Sequence, residues 1–286
     1  MILILSFPFN LLDKITELAF GTSCPERYIK HKYFYRYLAL GEQELKVLDI
    51  GCGQGGLLVN MAQKTPNHQY FGVDADPKAI QLATAKAKHL RNIKFLEASA
   101  LKLPFKDQSF DRIISTQVLE HMPAPFDESF FLEADRVLKT NCLFILDTPA
   151  DGHFTIAFQI YNLLSKFHYF RRKYKLLNHW HTYRYYPAYQ LHRHIRHGFS
   201  PAELSRLCNN TSLQLVGYHY YYKQGLSNYF QLRTLNRKFG LFYRGIGFLQ
   251  LFLDETIRRG PGLGLICQFY KYDTSQIPAR VTLGYE

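Results

Sequence analysis

The sequence lacks paired cysteines: its five cysteines lie far apart, and no two of them form a CxxC motif. This excludes a disulfide framework, and a chain of 286 residues with 47% hydrophobic residues does not need one to form a core. We therefore expect free thiols in a reducing compartment, and a cytoplasmic location.

Long uncharged apolar runs are also absent. No such run reaches the roughly 18 residues that a membrane-spanning helix requires. The apolar residues 1–12 lack a basic first region and a small-residue cleavage site, so we do not expect a signal peptide. Spanning helices are therefore not expected, whereas peripheral contact with a membrane stays open.

Acidic residues are scarce in the second half of the chain. Residues 151–286 contain 18 Lys and Arg but only 6 Asp and Glu, a net charge of +12, whereas residues 1–150 contain 17 of each kind. Sixteen of the 21 tyrosines also lie in this half. This asymmetry favours an anionic partner, such as a phosphorylated substrate, lipid headgroups or nucleic acid. A soluble basic surface without a partner is the alternative.

Strands and helices alternate regularly from about residue 45 onward. Near-continuous apolar runs predict five strands, which are KVLDIGCG, HQYFGVDAD, NIKFLEA, FDRIIST and CLFILDTP. Helical segments lie between them, and one starts at Asp76 and Pro77, a strong start signal. A helix from Ser200 with a predicted capping box to Glu203 then precedes two further strands, SLQLVGYHYYY and LGLICQFYKY. The alternation predicts an α/β protein with a parallel sheet and helices on both faces.

The organisation divides the chain into five segments. They are a helical N-terminal lead-in at 1–40, a cofactor-binding core at 41–150, a basic aromatic insertion or lid at 151–199, a completion of the core at 200–273 with a second insertion at 225–262, and a tail at 274–286.

A glycine loop at 51–56 joins the first strand to its helix. Glycines allow positive φ angles and a close approach of ligand to backbone, and the helix N-terminus offers free N–H groups. The loop fits both the dinucleotide pattern GxGxxG and the S-adenosylmethionine pattern GxGxG. Asp49, two residues before Gly51, favours a cationic amino-acid headgroup because a carboxylate there would repel a pyrophosphate. Asp74, at the end of the second strand, is placed to bind ribose hydroxyls of either cofactor.

Further motifs resemble the type-11 group of class I S-adenosylmethionine-dependent methyltransferases, which includes the ubiquinone and menaquinone biosynthesis enzymes. The matching segments are VLDIGCGQG at 47–55, GVDAD at 72–76, LPF at 103–105, SFD at 109–111, VLEH at 118–121 and, more loosely, HGFSPAEL at 197–204. The resemblance implies a Rossmann-like, seven-stranded, mostly parallel sheet whose last strand is antiparallel, with helices on both faces. It also implies that the insertions cover the substrate.

The resemblance names S-adenosylmethionine as the cofactor and implies roles for single residues. The methionine portion is expected at Asp49, Gly51, Gly53 and Gly55, with Cys52 in the same loop. Asp74 is expected to bind the ribose, and Ala75 to pack on the adenine. Ser99, followed by Ala100, stands where the group usually carries an acid that reads the adenine amine, and a hydroxyl accepts more weakly than a carboxylate. Gln117 is expected to face the methionine portion or the substrate.

His121, which ends the VLEH segment, is the candidate general base. Methyl transfer requires a base only when the acceptor is a protonated hydroxyl or a carbon acid. The alternative, of equal weight, is that His121 caps a helix or orients the loop.

The basic second half leaves several interpretations open. Helical spacing over residues 156–177 predicts a basic amphipathic helix, which packs as a lid or lies on an anionic bilayer. A histidine cluster lacks cysteine or carboxylate partners and is interleaved with Arg193 and Arg196, so we expect no metal there; its members are His179, His181, His192, His194 and His197. A phosphate or sugar phosphate suits this cluster better than a metal does, and a polar surface without a ligand is the other alternative.

The preferred hypothesis is methyl transfer to a small-molecule or lipid-like acceptor, phosphorylated or glycan acceptors included, by in-line displacement. An RNA methyltransferase that uses the basic half is one alternative. A non-catalytic, membrane-associated cofactor-binding protein is another, and an NAD-dependent dehydrogenase is the least favoured. The sequence does not indicate the oligomeric state.

Overall fold

The computed structural model describes residues 33–38, 40–150, 198–221 and 264–273. Five predicted features lie outside these described residues: the lid except for its last two residues, the second insertion, the tail, the histidine cluster and most of the N-terminal lead-in. The segment boundaries given above therefore stay predictions.

The described residues form one seven-stranded sheet. Its strands are β1 (Lys46–Ile50), β2 (Gln69–Asp74), β3 (Ile93–Glu97), β4 (Phe110–Thr116), β5 (Leu138–Pro149), β6 (Leu213–Tyr221) and β7 (Gly264–Lys271). Their order across the sheet is β3-β2-β1-β4-β5-β7-β6. The first five strands pair in parallel, whereas β7 runs antiparallel to both β5 and β6. The predicted mostly parallel sheet with an antiparallel last strand is confirmed.

Four α-helices connect the strands within the described residues. They are α1 (Gly56–Lys64), α2 (Pro77–Ala87), α3 (Asp127–Val137) and α4 (Pro201–Leu207). The predicted start signals are confirmed, since the Asp76 carboxylate accepts from Lys78 N at 2.9 Å and the Ser200 hydroxyl accepts from Glu203 N at 3.2 Å. Short 3₁₀ turns follow β4, at Leu119–His121 and Ala124–Phe126.

Helices cover both faces of the sheet because successive strand residues point to opposite sides. Ile113 and Phe144 belong to one buried cluster, together with α3 and α4. Their chain neighbours Ile114 and Ile145 belong to a second cluster, with α1, part of α2 and the helical residues 33–38. Each face therefore has its own apolar core.

The end of α3 differs slightly from the predicted one. Helical spacing predicted a helix through Lys139, but the helix ends at Val137 and β5 already begins at Leu138. The Lys271 ammonium group, which is largely buried on β7, donates to Leu138 O at 2.9 Å and to Asp135 O. A cation at this position satisfies the carbonyl groups that a helix C-terminus leaves open.

The LPF segment is tied to α3 by two side chains of that helix, Arg136 and Glu133. Arg136 donates to Phe105 O at 2.7 Å and to Leu103 O at 3.1 Å. Glu133 completes the contact, because its carboxylate accepts from Leu103 N at 2.6 Å and from Arg136 Nε at 2.7 Å. The Arg136 hydrogen bond lowers the pKa of Glu133. This segment therefore has a structural role, which is to fix the chain between β3 and β4.

None of the helices in the described ranges combines the length and the apolar character that a membrane crossing demands.

Replacing Arg136 with Met is expected to lower the free energy of unfolding by about 2 kcal/mol, because it leaves partly buried carbonyl groups without donors. Lys139→Met is the matched control: it removes a more exposed ion pair to Asp111 and should cost less than about 1 kcal/mol. Urea unfolding of both variants measures the difference. Equal losses would contradict the anchoring role of Arg136.

Candidate functional site

A cavity of about 730 Å³ opens at the carboxyl ends of β1, β2 and β4. This is where ligands bind in open α/β sheets. Its walls are formed by residues 51–54, 74–76, 98–101, 116–118 and 121–123, together with Ala79 and Phe126. Nine predicted site residues lie on these walls, namely Gly51, Cys52, Gly53, Asp74, Ala75, Ser99, Ala100, Gln117 and His121.

Asp74 holds the glycine loop in place. Its Oδ2 accepts from Gly53 N at 2.8 Å, and its Oδ1 accepts from Asp76 N at 2.9 Å. The loop is further fixed to β2, because Gly51 N and Cys52 N both donate to Val73 O. Both oxygens of Asp74 are thus oriented by main-chain donors, and each retains acceptor capacity for a ligand hydroxyl.

The three glycines of the GxGxG pattern are required for different reasons. All three have positive φ angles, 78° at Gly51, 51° at Gly53 and 72° at Gly55. A Cβ at Gly51 would lie 2.1 Å from Val118, and one at Gly55 would lie 2.6 Å from Phe95. A Cβ at Gly53 would meet no atom within 4 Å. Gly51 and Gly55 therefore permit close packing within the protein, whereas Gly53 leaves its side open to the cavity.

Gly55 does not lie on the cavity wall. It is the N-cap of α1 and packs against β3 and α2. Its predicted contact with a cofactor stays a prediction, and its packing alone explains the requirement for glycine.

Asp49 lies behind the glycine loop rather than on the cavity wall. Its side chain is buried, and its Oδ1 has no hydrogen-bond partner. Burial, reinforced by the negative charge of Asp74, raises the pKa of Asp49 to about 8. A buried carboxylate without a partner is unfavourable unless a cation approaches it. The residues of this site therefore fit a ligand with a cationic headgroup.

The Cys52 thiol is unsuited to nucleophilic chemistry. Burial raises its pKa far above the usual range, and the nearby charges of Asp49 and Asp74 raise it further. Since the thiolate is the reactive form, Cys52 acts as a small neutral wall residue.

The wall predicted to meet adenine consists of small side chains. Ala75 and Ala79 line it on one side, and residues 98–101 line it on the other. The Ser99 hydroxyl accepts from Leu101 N at 3.2 Å, which shapes the turn and occupies one of its lone pairs. An adenine amine would therefore meet one remaining acceptor position on Ser99 instead of a carboxylate.

The opposite wall is a turn that follows β4. Gln117 has a positive φ of 55°, and its main-chain N–H donates to Asp147 O at 2.8 Å. His121 lies on the same wall, in the 3₁₀ turn that follows. Gln117 and His121 thus line the same cavity as the glycine loop, while their predicted roles stay predictions.

Sequence reasoning missed an apolar part of the cavity wall, and it missed Asp147, which bonds to Gln117. Val118, Met122, Pro123 and Phe126 line the cavity, and Phe126 is 44% exposed. The signal was the uncharged stretch MPAPF that follows VLEH. Asp147 was missed as well, although an acid that ends the apolar run CLFIL marks the carboxyl end of a strand.

Replacing Asp49 with Asn is expected to stabilise the cofactor-free protein. A carboxyl group with a raised pKa keeps its proton in the folded state, so its contribution to stability falls as pH rises from about 4 to about 8. Asn removes this penalty, and the gain should be on the order of 1–3 kcal/mol at pH 8 and smaller at pH 5.

Urea unfolding of the wild type and the variant at both pH values measures this gain. Glu128→Gln, on an exposed position of α3, controls for the loss of a charge. A destabilised Asn variant, or a difference that is independent of pH, would contradict the unfavourable burial of Asp49.

Comparisons with known proteins agree with this geometry. A family model described as "Methyltransferase domain" matches residues 42–187, just over half of the chain. A demethylmenaquinone methyltransferase from Deinococcus radiodurans is 31% identical over 128 residues, which cover 43% of this chain and 52% of that protein. The chain spans between about a quarter and a half of the length of the curated relatives that it matches.

Solved structures share the fold at low sequence identity. A geranyl diphosphate C-methyltransferase from Streptomyces coelicolor A3(2), solved with Mg²⁺, geranyl diphosphate and S-adenosyl-L-homocysteine, superposes with a TM-score of 0.54 at 14% identity. The superposition covers 86% of this chain and 79% of that one. A SAM-dependent methyltransferase from Methanosarcina mazei gives a TM-score of 0.50 at 18% identity, over 84% and 97% of the two chains. The chain therefore belongs to the methyltransferase-domain family, and its resemblance to the class I, S-adenosylmethionine-dependent ubiquinone/menaquinone-like group is confirmed together with that cofactor.

Proposed function

We propose that this chain transfers a methyl group from S-adenosylmethionine to a small, largely apolar acceptor, either a small molecule or a lipid. The observation that carries the proposal is one cavity that is lined by the glycine loop and Asp74 as well as by an apolar wall. The loop side suits a cationic cofactor. The apolar side suits an acceptor whose hydrophobic body displaces water from the cavity.

Bound S-adenosylmethionine supplies an electrophilic methyl group on a positively charged sulfur, so the protein mainly has to align the acceptor and exclude water. Asp74 would accept hydrogen bonds from the ribose hydroxyls, in the orientation that Gly53 N and Asp76 N impose on its carboxylate. The open side of Gly53 allows the ligand to lie directly against the loop. Asp49 would provide the negative charge for the amino-acid headgroup.

His121 would take the proton from an acceptor that is a hydroxyl or a carbon acid. It lies on the cavity wall between the turn at Gln117 and the apolar residues Met122 and Phe126. A base at this place is close to both the loop and the apolar wall, as the transfer requires. With an acceptor that carries a free lone pair, His121 would only help to shape the site.

The apolar wall supports an acceptor with a hydrophobic body. Val118, Met122 and Phe126 contribute it, and Pro123 and Pro125 restrict the backbone of this segment. The acceptors named for two relatives, demethylmenaquinone and geranyl diphosphate, both have hydrocarbon parts. The basic second half would suit an acceptor with a phosphate group, or contact with an anionic membrane from the cytoplasm.

Methylation of RNA is the second candidate, and the +12 charge of residues 151–286 is the observation that favours it. The cavity favours the first candidate, because RNA would be held by Lys and Arg as well as by stacking aromatic side chains, and none of the described residues that line the cavity is a Lys or Arg.

S-adenosylmethionine is expected to raise the melting temperature of the wild-type protein. A ligand at 100 times its Kd stabilises the folded state by about 2.7 kcal/mol. Asp74→Ala should abolish the shift because it removes both the ribose acceptor and the bond to Gly53, whereas Glu128→Gln should preserve it. Differential scanning fluorimetry measures the shift in melting temperature for the wild type and both variants. A wild-type protein that shows no shift would contradict the proposal.

Incubation with methyl-labelled S-adenosylmethionine and cell extract is expected to place label in the lipid or small-molecule fraction. Phe126→Asp should reduce this incorporation at least about tenfold by placing a charge in the apolar wall, with little change in cofactor affinity. Scintillation counting of the lipid, RNA, glycan and small-molecule fractions decides the acceptor class. Label confined to RNA would favour the second candidate.

A further inference from the structure

Gln117 has a backbone conformation that its residue type disfavours. Its φ of 55° lies in the left-handed region, which costs free energy for any residue except glycine. A turn after β4 would form more easily with glycine at this position. Strain of this kind persists where the surrounding structure enforces it, and it is concentrated at functional sites.

Asp147 enforces this conformation with two hydrogen bonds. Its main-chain oxygen accepts from Gln117 N at 2.8 Å, and its carboxylate Oδ2 accepts from Gln117 Nε2 at 3.3 Å. Asp147 is fully buried and pairs with Thr116 in the last register position of β4 and β5. One rigid residue therefore holds both the backbone and the side chain of Gln117 at the point where β4 ends.

The next residue of β5 extends this support. Thr148 is also fully buried, and its hydroxyl donates to Glu120 Oε2 at 3.3 Å. The end of β5 thus supports both ends of the turn 117–120. The turn 117–120 also packs on the glycine loop, since a Cβ on Gly51 would collide with Val118.

The sheet register places Gln117 beside the loop that follows β1. Ile50 pairs with Ser115, so the residues that follow on each strand, Gly51–Cys52 and Thr116–Gln117, leave the sheet side by side. Gln117 and the glycine loop line the same cavity, and the buried Asp49 lies on β1, two residues before that loop. The donor groups of a cationic amino-acid headgroup would lie between these residues.

We propose that Asp147 is a positioning residue that holds Gln117 in its strained conformation so that the Gln117 amide oxygen accepts a hydrogen bond from the amino-acid headgroup of the cofactor. Because the Gln117 Nε2 donates to Asp147, the oxygen Oε1 is the acceptor that this side chain offers to a ligand. Asp147 itself does not line the cavity and acts through Gln117. The proposal rests on the cofactor function given above.

A double-mutant cycle with S-adenosylhomocysteine as the probe tests this proposal. The Kd is measured by isothermal titration calorimetry, and the melting temperature by calorimetric scans, for the wild type, Gln117→Gly, Asp147→Asn and the double variant. Gln117→Gly is expected to raise the Kd about five- to twentyfold while the melting temperature stays the same or rises, because glycine relieves the strain.

Asp147→Asn is expected to raise the Kd several-fold in the wild-type background and to leave it unchanged in the Gln117→Gly background. Asp127→Asn is the control, because Asp127 is a buried acid of α3 outside the cavity. It should leave the Kd unchanged in both backgrounds. If Asp147→Asn does not fold, Asp147→Ser replaces it, since a hydroxyl retains a hydrogen-bonding group at this place.

Equal effects of Asp147→Asn in both backgrounds would overturn the proposal, as would a Gln117→Gly variant that loses stability but binds with wild-type affinity. A wild-type protein that does not bind S-adenosylhomocysteine would contradict the cofactor function itself, and the proposal with it. Binding by the wild type with no dependence on Gln117 would overturn the proposal alone.

Discussion

The buried carboxyl group of Asp49 is the constraint on which the rest of this site depends. It is buried near the carboxyl end of β1, and Asp74 adds a second acidic group nearby. Its Oδ1 has no hydrogen-bond partner, and burial raises its pKa so that the carboxyl group stays protonated at neutral pH. Asp74 differs, since both of its oxygens accept main-chain N–H groups. The pair therefore combines a preformed acceptor, Asp74, with a buried carboxyl group, Asp49, that gives up its proton when a cationic ligand pairs with it.

The other wall of the cavity follows from the order of the strands. β1, β4 and β5 are neighbours in the sheet, so the chain segments after β1 and β4 lie side by side on the cavity wall. The end of β5 supports the segment after β4 through hydrogen bonds. Val118 packs against Gly51, and Gln117 is held by Asp147. The glycine loop and the turn at Gln117 are thus in direct packing contact. The apolar segment 122–126 continues from that turn toward solvent.

Local sequence patterns predicted the strands, two helix starts, the glycine loop and Asp74, because apolar runs, caps and glycine loops are short-range signals. The antiparallel last strand and other cavity residues, such as Ala75 and Ser99, came from the family resemblance. The roles that depend on contacts between distant segments were not predictable in this way. Arg136 shows this for the LPF segment, since its bonds join residues about thirty positions apart. Asp147 shows it for Gln117, across the same separation in sequence. Gly55 fits a cofactor motif, yet its closest neighbours are Phe95 and Ala83 of the protein itself.

The most direct test of this account is the number of protons released when S-adenosylhomocysteine binds. Isothermal titration calorimetry at pH 7 in two buffers with different ionisation enthalpies gives this number. If the cofactor headgroup pairs with a carboxyl group whose pKa is about 8, the wild type should release close to one proton per site, and Asp49→Asn should release close to none. Binding by the wild type without proton release, or equal release by both proteins, would contradict the central role of Asp49.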